Sequence, residues 1–169
     1  MNPKIKLVLW IVVAIVLVDQ ATKVIVDRNM LLYQSIPVID GLFSLTYIRN
    51  TGAAFGFLAR SGELFRRTFL ISFSVGAVVF ILFMLRRLAP DEKALIAALG
   101  FILGGAAGNL IDRLLHGEVI DFLDFYWRSH HWPAFNVADS CITIGVAVIL
   151  FRLATSKGDD PFAPRARIS

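Results

Sequence analysis

Gly117-Glu118-Val119-Ile120-Asp121-Phe122 opens, and Phe135-Asn136-Val137-Ala138-Asp139 closes, the stretch around which this chain is organised. Asp121 stands in apolar sequence. Asp139 stands at the head of an apolar run, Val137 to Ala154, that is long enough to span a membrane. An aspartate at the centre of a membrane helix costs about 2.5 to 3.5 kcal/mol, so one placed there needs a reason. Two carboxyl groups that converge near a membrane surface can share one proton and activate a water.

Working outward, three more runs approach the roughly 20 residues of a spanning helix: Leu7 to Val26, Thr68 to Leu85 and Ala94 to Leu115. The chain is 169 residues, 57% hydrophobic, with mean hydropathy +0.69. That exceeds the roughly 45–50% apolar usage of soluble domains and points to the bilayer. The net charge is +4. The basic residues lie mostly between apolar runs, as in membrane proteins, so nucleic acid is not the expected partner. With the N-terminus inside, the inner segments carry Lys4, Lys6, Arg86, Arg87, Lys93, Arg152, Lys157, Arg165 and Arg167. The longer outer segments carry Arg28, Arg49, Arg60, Arg66, Arg67, Arg113 and Arg128 at lower density, which favours both termini in the cytoplasm. Lys4 and Lys6 before the first run resemble a signal peptide. Asp19 and Lys23 interrupt that run and no small-x-small site follows it, so it reads as an uncleaved signal anchor.

The first outer segment has a turn signal, Asp40-Gly41, between Pro37-Val38-Ile39 and Leu42-Phe43, and β-branched Thr46 and Ile48 continue the second strand. The second, about His116 to Asn136, carries Phe122, Phe125, Tyr126, Trp127, Trp132 and Phe135, rings suited to the headgroup layer. The tail from Ser156 is charged, contains Pro161 and Pro164, and reads as disordered. The expected fold is an all-α membrane protein: four transmembrane helices with a small extracytoplasmic β-sheet and surface loops, in one domain over 1–169. Gly100, Gly104 and Gly108, with Gly105 beside them, make a smooth stripe on the third helix, and packing is its first reading.

Spacing alone leaves the polar residues ambiguous. Asp19 and Lys23 share a helix face and read as a structural ion pair, or as one that braces a site. Asn109 and Arg113 share a face of the third helix, whereas Asp112 points away from its neighbour Arg113. Arg113 either snorkels to the interface or holds a carbonyl or headgroup. Asn136 and Asp139 read first as a capping box, favourable at a helix N-terminus. The same dipole leaves Asp121 the proton carrier of a resting pair. Asp124, three residues after Asp121, competes with it, and pattern does not choose between them. Cys141 has no histidine on its helix and reads as a packed residue, and a lone cysteine gives neither an internal disulfide nor a multi-cysteine metal site. Ser72, Ser74 and Ser140 have no activating neighbour, there is no Gly-x-Ser-x-Gly, and no His-Glu-x-x-His speaks for zinc.

Five blocks occur in order: Asp19-Gln20-Ala21-Thr22-Lys23; Asn50-Thr51-Gly52-Ala53-Ala54-Phe55; Gly104-Gly105-Ala106-Ala107-Gly108-Asn109-Leu110-Ile111-Asp112-Arg113; Val119-Ile120-Asp121-Phe122; and Phe135-Asn136-Val137-Ala138-Asp139. With them the chain resembles the bacterial lipoprotein signal peptidases, known as signal peptidase II. The resemblance implies that Asp121 and Asp139 are a catalytic pair and that Asp124 is not. It implies that Asp19, Lys23, Asn50, Gly52, Asn109, Arg113, Asn136 and Ala138 shape or brace the site, with Arg113 and Asn50 as candidates to hold the substrate backbone or lipid ester. It implies a metal-independent aspartic endopeptidase without cofactor, located in the bacterial cytoplasmic (inner) membrane with its site near the outer face. The substrate would be a diacylglyceryl-modified prolipoprotein, cut just before the lipidated cysteine. Membrane lipids are the expected surroundings and a monomer the expected state. The outer sheet would then cover the site. The rivals from other classes are a small proton-coupled transporter, for which Asp19, Lys23 and Asp139 would be a relay, and a structural membrane subunit.

Overall fold

The computed structural model describes residues 2–52 and 62–155. Ala53, Ala54 and Phe55 of the second block, and the tail from Ser156, lie outside the described residues. In chain order the elements are α1 (Pro3–Asn29), β1 (Ser35–Ile39), β2 (Phe43–Asn50), α2 (Glu63–Arg87), α3 (Lys93–Leu115), β3 (Val119–Trp127), β4 (His130–His131) and α4 (Val137–Thr155).

The four helices fall on the four apolar runs and extend beyond them into polar flanks. Hydrogen bonding along a helix does not stop where the hydrocarbon stops. Thus α1 starts at Pro3, with Asn2 as cap: its side-chain oxygen accepts from Lys4 N at 3.0 Å. α2 starts at Glu63 and ends on Arg86 and Arg87, charges that suit the two ends of its dipole. The shortest, α4, has 19 residues, about 28 Å at 1.5 Å each, close to the hydrocarbon thickness.

Burial concentrates on α3. Its Leu95, Ile96, Leu99 and Leu103 pack with Ile81, Leu85 and Leu88. Lipid tails are as apolar as leucine, so close approach, not hydrophobicity, holds such helices together. The glycine stripe supplies that approach. A Cβ on Gly100 or Gly104 would lie 3.3 Å from Ile11 or 3.0 Å from Ile15 of α1. One on Gly105 would strike the Ala138 carbonyl oxygen of α4. The packing reading of the stripe therefore stands.

The strands form one antiparallel sheet in the order β1-β2-β3-β4. The expected hairpin is present, and Gly41 sits in its turn at φ 77°, where a side chain would be strained. The apolar, aromatic Val119–Trp127 segment is a strand, which its sequence pattern does not announce. Its first four residues are all buried, so no polar alternation advertised it. β3 is paired with β2, and its Phe122 and Leu123 amides also reach Phe135 O at 3.0 and 2.8 Å. A β-bulge interrupts the β2–β3 ladder: Leu45 pairs Leu123, but Ile48 pairs Asp121. Tyr47, Ile120 and Phe122 of the sheet pack on Val26 at the C-terminal end of α1.

Candidate active site

Lys23 is the hub from which the site is built. Its ammonium lies 2.8 Å from Asp19 Oδ2, 2.9 Å from Asp112 Oδ2 and 2.9 Å from Asn109 Oδ1. Three N–H donors thus meet three acceptors. Asp19 Oδ1 also accepts from Ala138 N at 3.0 Å, which ties α1 to the first turn of α4. Gly108 makes room for it, since a Cβ there would lie 2.5 Å from Asp19 Oδ2. Asp112 faces this hub, away from Arg113, and its Oδ2 accepts from Ile120 N at 3.3 Å, fastening the start of β3 to α3.

Two carboxamides carry the order of the hub to Asp121 and Asp139. Asn109 Oδ1 faces two donors, Lys23 Nζ and Asn136 Nδ2 (3.1 Å). Its amide orientation is therefore determined, and Nδ2 donates to Asp139 Oδ1 at 2.7 Å. Asn136 Oδ1 accepts from Asp139 N at 3.0 Å, and Asn136 N donates to Asp139 Oδ2 at 3.3 Å: the capping box read from the sequence is formed reciprocally. The Asn136 amide also donates to Asp121 Oδ1 at 2.8 Å and Ile120 O at 3.2 Å. Asn50 Nδ2 reaches the other oxygen of Asp121 at 2.9 Å, and its own oxygen accepts from Gly52 N at 3.0 Å. Asn50 is thus engaged at both ends of its carboxamide.

Asp121 and Asp139 both line a cavity of about 680 Å³, with Arg113 on a third side. Trp132, Pro133, Ala134 and Phe135 wall it from the loop before α4, and Ile142 and Ile144 from α4 itself. Burial pushes the Asp121 carboxyl up from 3.8 to about 7. The Asp139 charge acts in the same direction, while the Asn50 and Asn136 hydrogen bonds and the Lys23 ammonium oppose it. Among the described residues, Arg113 Nη1 makes long contacts with Ser74 Oγ (3.5 Å) and Asn109 O (3.4 Å). Two carboxyl groups, one of them raised to about 7, and a guanidinium around one cavity can activate a water, polarise a carbonyl and hold its neighbouring atoms.

Asp124 is on the opposite face of β3 from Asp121, as their odd spacing in a strand requires. Its oxygens lie 2.9 and 3.0 Å from His131 Nδ1, and Oδ2 accepts from Thr46 Oγ1 at 3.2 Å. Strand geometry thus separates two aspartates that pattern could not. All ten residues singled out from the sequence join one connected region. Gln20 was missed: its amide donates to Asp112 Oδ1 at 2.8 Å and Asp19 Oδ2 at 3.2 Å. Its signals were a polar side chain inside a span and its place in the block Asp19-Gln20-Ala21-Thr22-Lys23.

The model of the family described as "Signal peptidase (SPase) II" matches residues 11–155. A lipoprotein signal peptidase of Geobacter sulfurreducens is 55% identical over 149 residues, 88% of this chain and 92% of that one. One of Geobacter metallireducens is 50% identical over 149 residues, 88% and 91% of the two chains. A solved structure described as a bacterial membrane enzyme, at 1.9 Å resolution, superposes with a TM-score of 0.78 at 34% identity, covering 89% of this chain and 94% of that one.

Proposed function

The chain belongs to the signal peptidase II family, the lipoprotein signal peptidases, and on that premise we propose that Asp121 and Asp139 form its aspartic catalytic pair. Its activity is that of a lipoprotein signal peptidase in a bacterial membrane, which replaces the transporter and structural-subunit readings. The observation that carries the catalytic reading is that both carboxyl groups line one cavity and are held by the same residue, Asn136.

The reaction then runs as follows. One carboxylate of the pair takes a proton from a water, whose oxygen attacks the scissile carbonyl. The partner carboxyl, protonated, donates to the carbonyl oxygen as the tetrahedral centre forms. Collapse breaks the C–N bond, and the departing amine takes up the proton. An Asp121 carboxyl raised to about 7 is suited to the donor role. Lys23, Asp19, Asn109, Asn136 and the Ala138 amide keep the pair in place. Asn50 with Gly52 steadies Asp121, and Arg113 holds the substrate backbone or the lipid ester. The substrate is a diacylglyceryl-modified prolipoprotein, cut just before the lipidated cysteine. Its signal helix stays in the membrane and its acyl chains among lipids.

The denser basic residues in the segments flanking the C-terminal end of α2 and both chain ends support cytoplasmic termini and a site near the outer face. Residues 1–169 act as one domain and as a monomer. The reaction is read as metal-independent, as the family resemblance implies. The test is cleavage of a diacylglyceryl-modified prolipoprotein by purified protein in lipid with chelator present. We expect cleavage before the modified cysteine, none of the unlipidated substrate, and a near-complete loss in Asp121→Asn and Asp139→Asn. Full activity in a folded Asp121→Asn would sink the assignment.

A further inference from the structure

One polar cluster belongs neither to the Lys23 hub nor to the cavity. Asp27 near the end of α1 meets Tyr47 and Arg49 of β2 in a closed ring of hydrogen bonds. The Tyr47 hydroxyl donates to Asp27 Oδ1, Arg49 Nε donates to the Tyr47 oxygen at 2.7 Å, and Arg49 Nη2 reaches Asp27 Oδ1 at 2.7 Å. The Asp27–Arg49 pair is partly exposed, so as an ion pair alone it contributes little. Tyr47 is only 4% exposed and packs with Val26, Ile120 and Phe122, so the ring has a buried, rigid corner.

Strand geometry shows what the ring can control. Tyr47 and Arg49 are two apart and share the face of β2 that meets α1. Asn50, the next residue, points to the other face, where its amide meets Asp121. In the ladder Arg49 pairs Ile120 and Asn50 pairs Val119, so Asp121 is the diagonal neighbour of Asn50. Asn50–Val119 is also the terminal pair of that ladder, the position at which strands fray most readily. A tether on Arg49 holds that terminal pair from the opposite face.

We propose that Arg49, locked by Tyr47 and Asp27, is a positioning residue for the reaction: it fastens the end of β2 to α1 and thereby holds the Asn50 amide against Asp121. This rests on reading Asp121 as catalytic. Arg49 does not touch the reacting atoms. Its effect passes through one hydrogen bond, Asn50 Nδ2 to Asp121 Oδ2. The charged groups that act on Asp121 besides are Asp139 of α4, Lys23 of α1 and Arg113 of α3.

The test is the pH profile of kcat/KM for Arg49→Ala, Tyr47→Phe, Asn50→Ala and the Arg49→Ala/Asn50→Ala double variant, with Asp121→Asn as control and thermal unfolding as a check on folding. The Asn50 hydrogen bond favours ionised Asp121, so its loss moves the alkaline limb upward, by roughly half to one pH unit. Arg49→Ala and Tyr47→Phe should move it in the same direction, and Arg49→Ala should add nothing in the Asn50→Ala background. An unmoved limb in folded Arg49→Ala, or shifts that add in the double variant, overturns the proposal. If Arg49→Ala does not fold, Tyr47→Phe decides by the same criterion, because it removes one hydroxyl and leaves the packing. Cleavage by Asp121→Asn would instead overturn the catalytic reading itself.

Discussion

Replacing Lys23 by methionine keeps an unbranched stem and removes the ammonium. That ammonium lies within 2.8–2.9 Å of Asp19, Asp112 and Asn109, and its side chain is 2% exposed. After the change, two buried carboxylates face each other with no cation between them. Removing one partner of a buried pair costs about 3–5 kcal/mol, against about 0–1 kcal/mol at a surface. One cation serves two carboxylates here, so the upper part of that range is expected. The assay is reversible unfolding of purified Lys23→Met in mixed lipid–detergent micelles, alongside the cleavage assay. Cleavage should fall even in the folded fraction. Asn109 loses one of the two donors that determine its orientation, and a turned amide would present its oxygen to Asp139. Adding Asp112→Asn should restore part of the stability, because it removes one of the two stranded charges. A stability loss under about 1 kcal/mol would put the trio in the class of exposed pairs and refute the hub argument.

Two further outcomes follow from the same geometry. Asp121, raised to about 7, keeps its proton where an ordinary carboxyl is ionised; as pH rises through about 7 that proton leaves, the general acid is lost, and kcat/KM should fall on the alkaline side. The limb belongs to the coupled pair, and a profile flat from about pH 5 to 9 would contradict it. Asp124→Asn should leave cleavage within a few-fold of wild type, because Asp124 bonds His131 and Thr46 on the far face of β3. A loss as deep as that of Asp121→Asn would count against the strand-face argument.

Much of the fold was legible because a bilayer demands long apolar runs. Each of the four predicted runs contains the body of a helix, and the Asp40-Gly41 turn signal marked the hairpin. β3 was not legible as a strand. Burial at Val119, Ile120, Asp121 and Phe122 alike erased the period of two that reveals half-buried strands. Asp19, Lys23, Asn109 and Arg113 were legible as polar side chains in costly places and Asn136 as a cap, whereas Asn50, Gly52 and Ala138 came only with the family resemblance. The partners of these side chains were not legible, because Lys23 and Asn109 are brought together by helix packing across 86 positions of chain.

By itself, the sequence determined the four spans, the hairpin turn, the capping box at Asn136 and Asp139, and the family to which the ordered blocks point. These depend on local spacing and on the cost of burying charge, both of which can be read along a chain. Only the tertiary structure decided that Asp112 turns to Lys23, that Asn109 and Asn136 connect the hub to both Asp121 and Asp139, and that Asp124 faces away. These hydrogen bonds join elements that lie far apart along the chain. The glycines at 105 and 108, by letting α4 and α1 approach α3 so closely, determine which polar atoms meet.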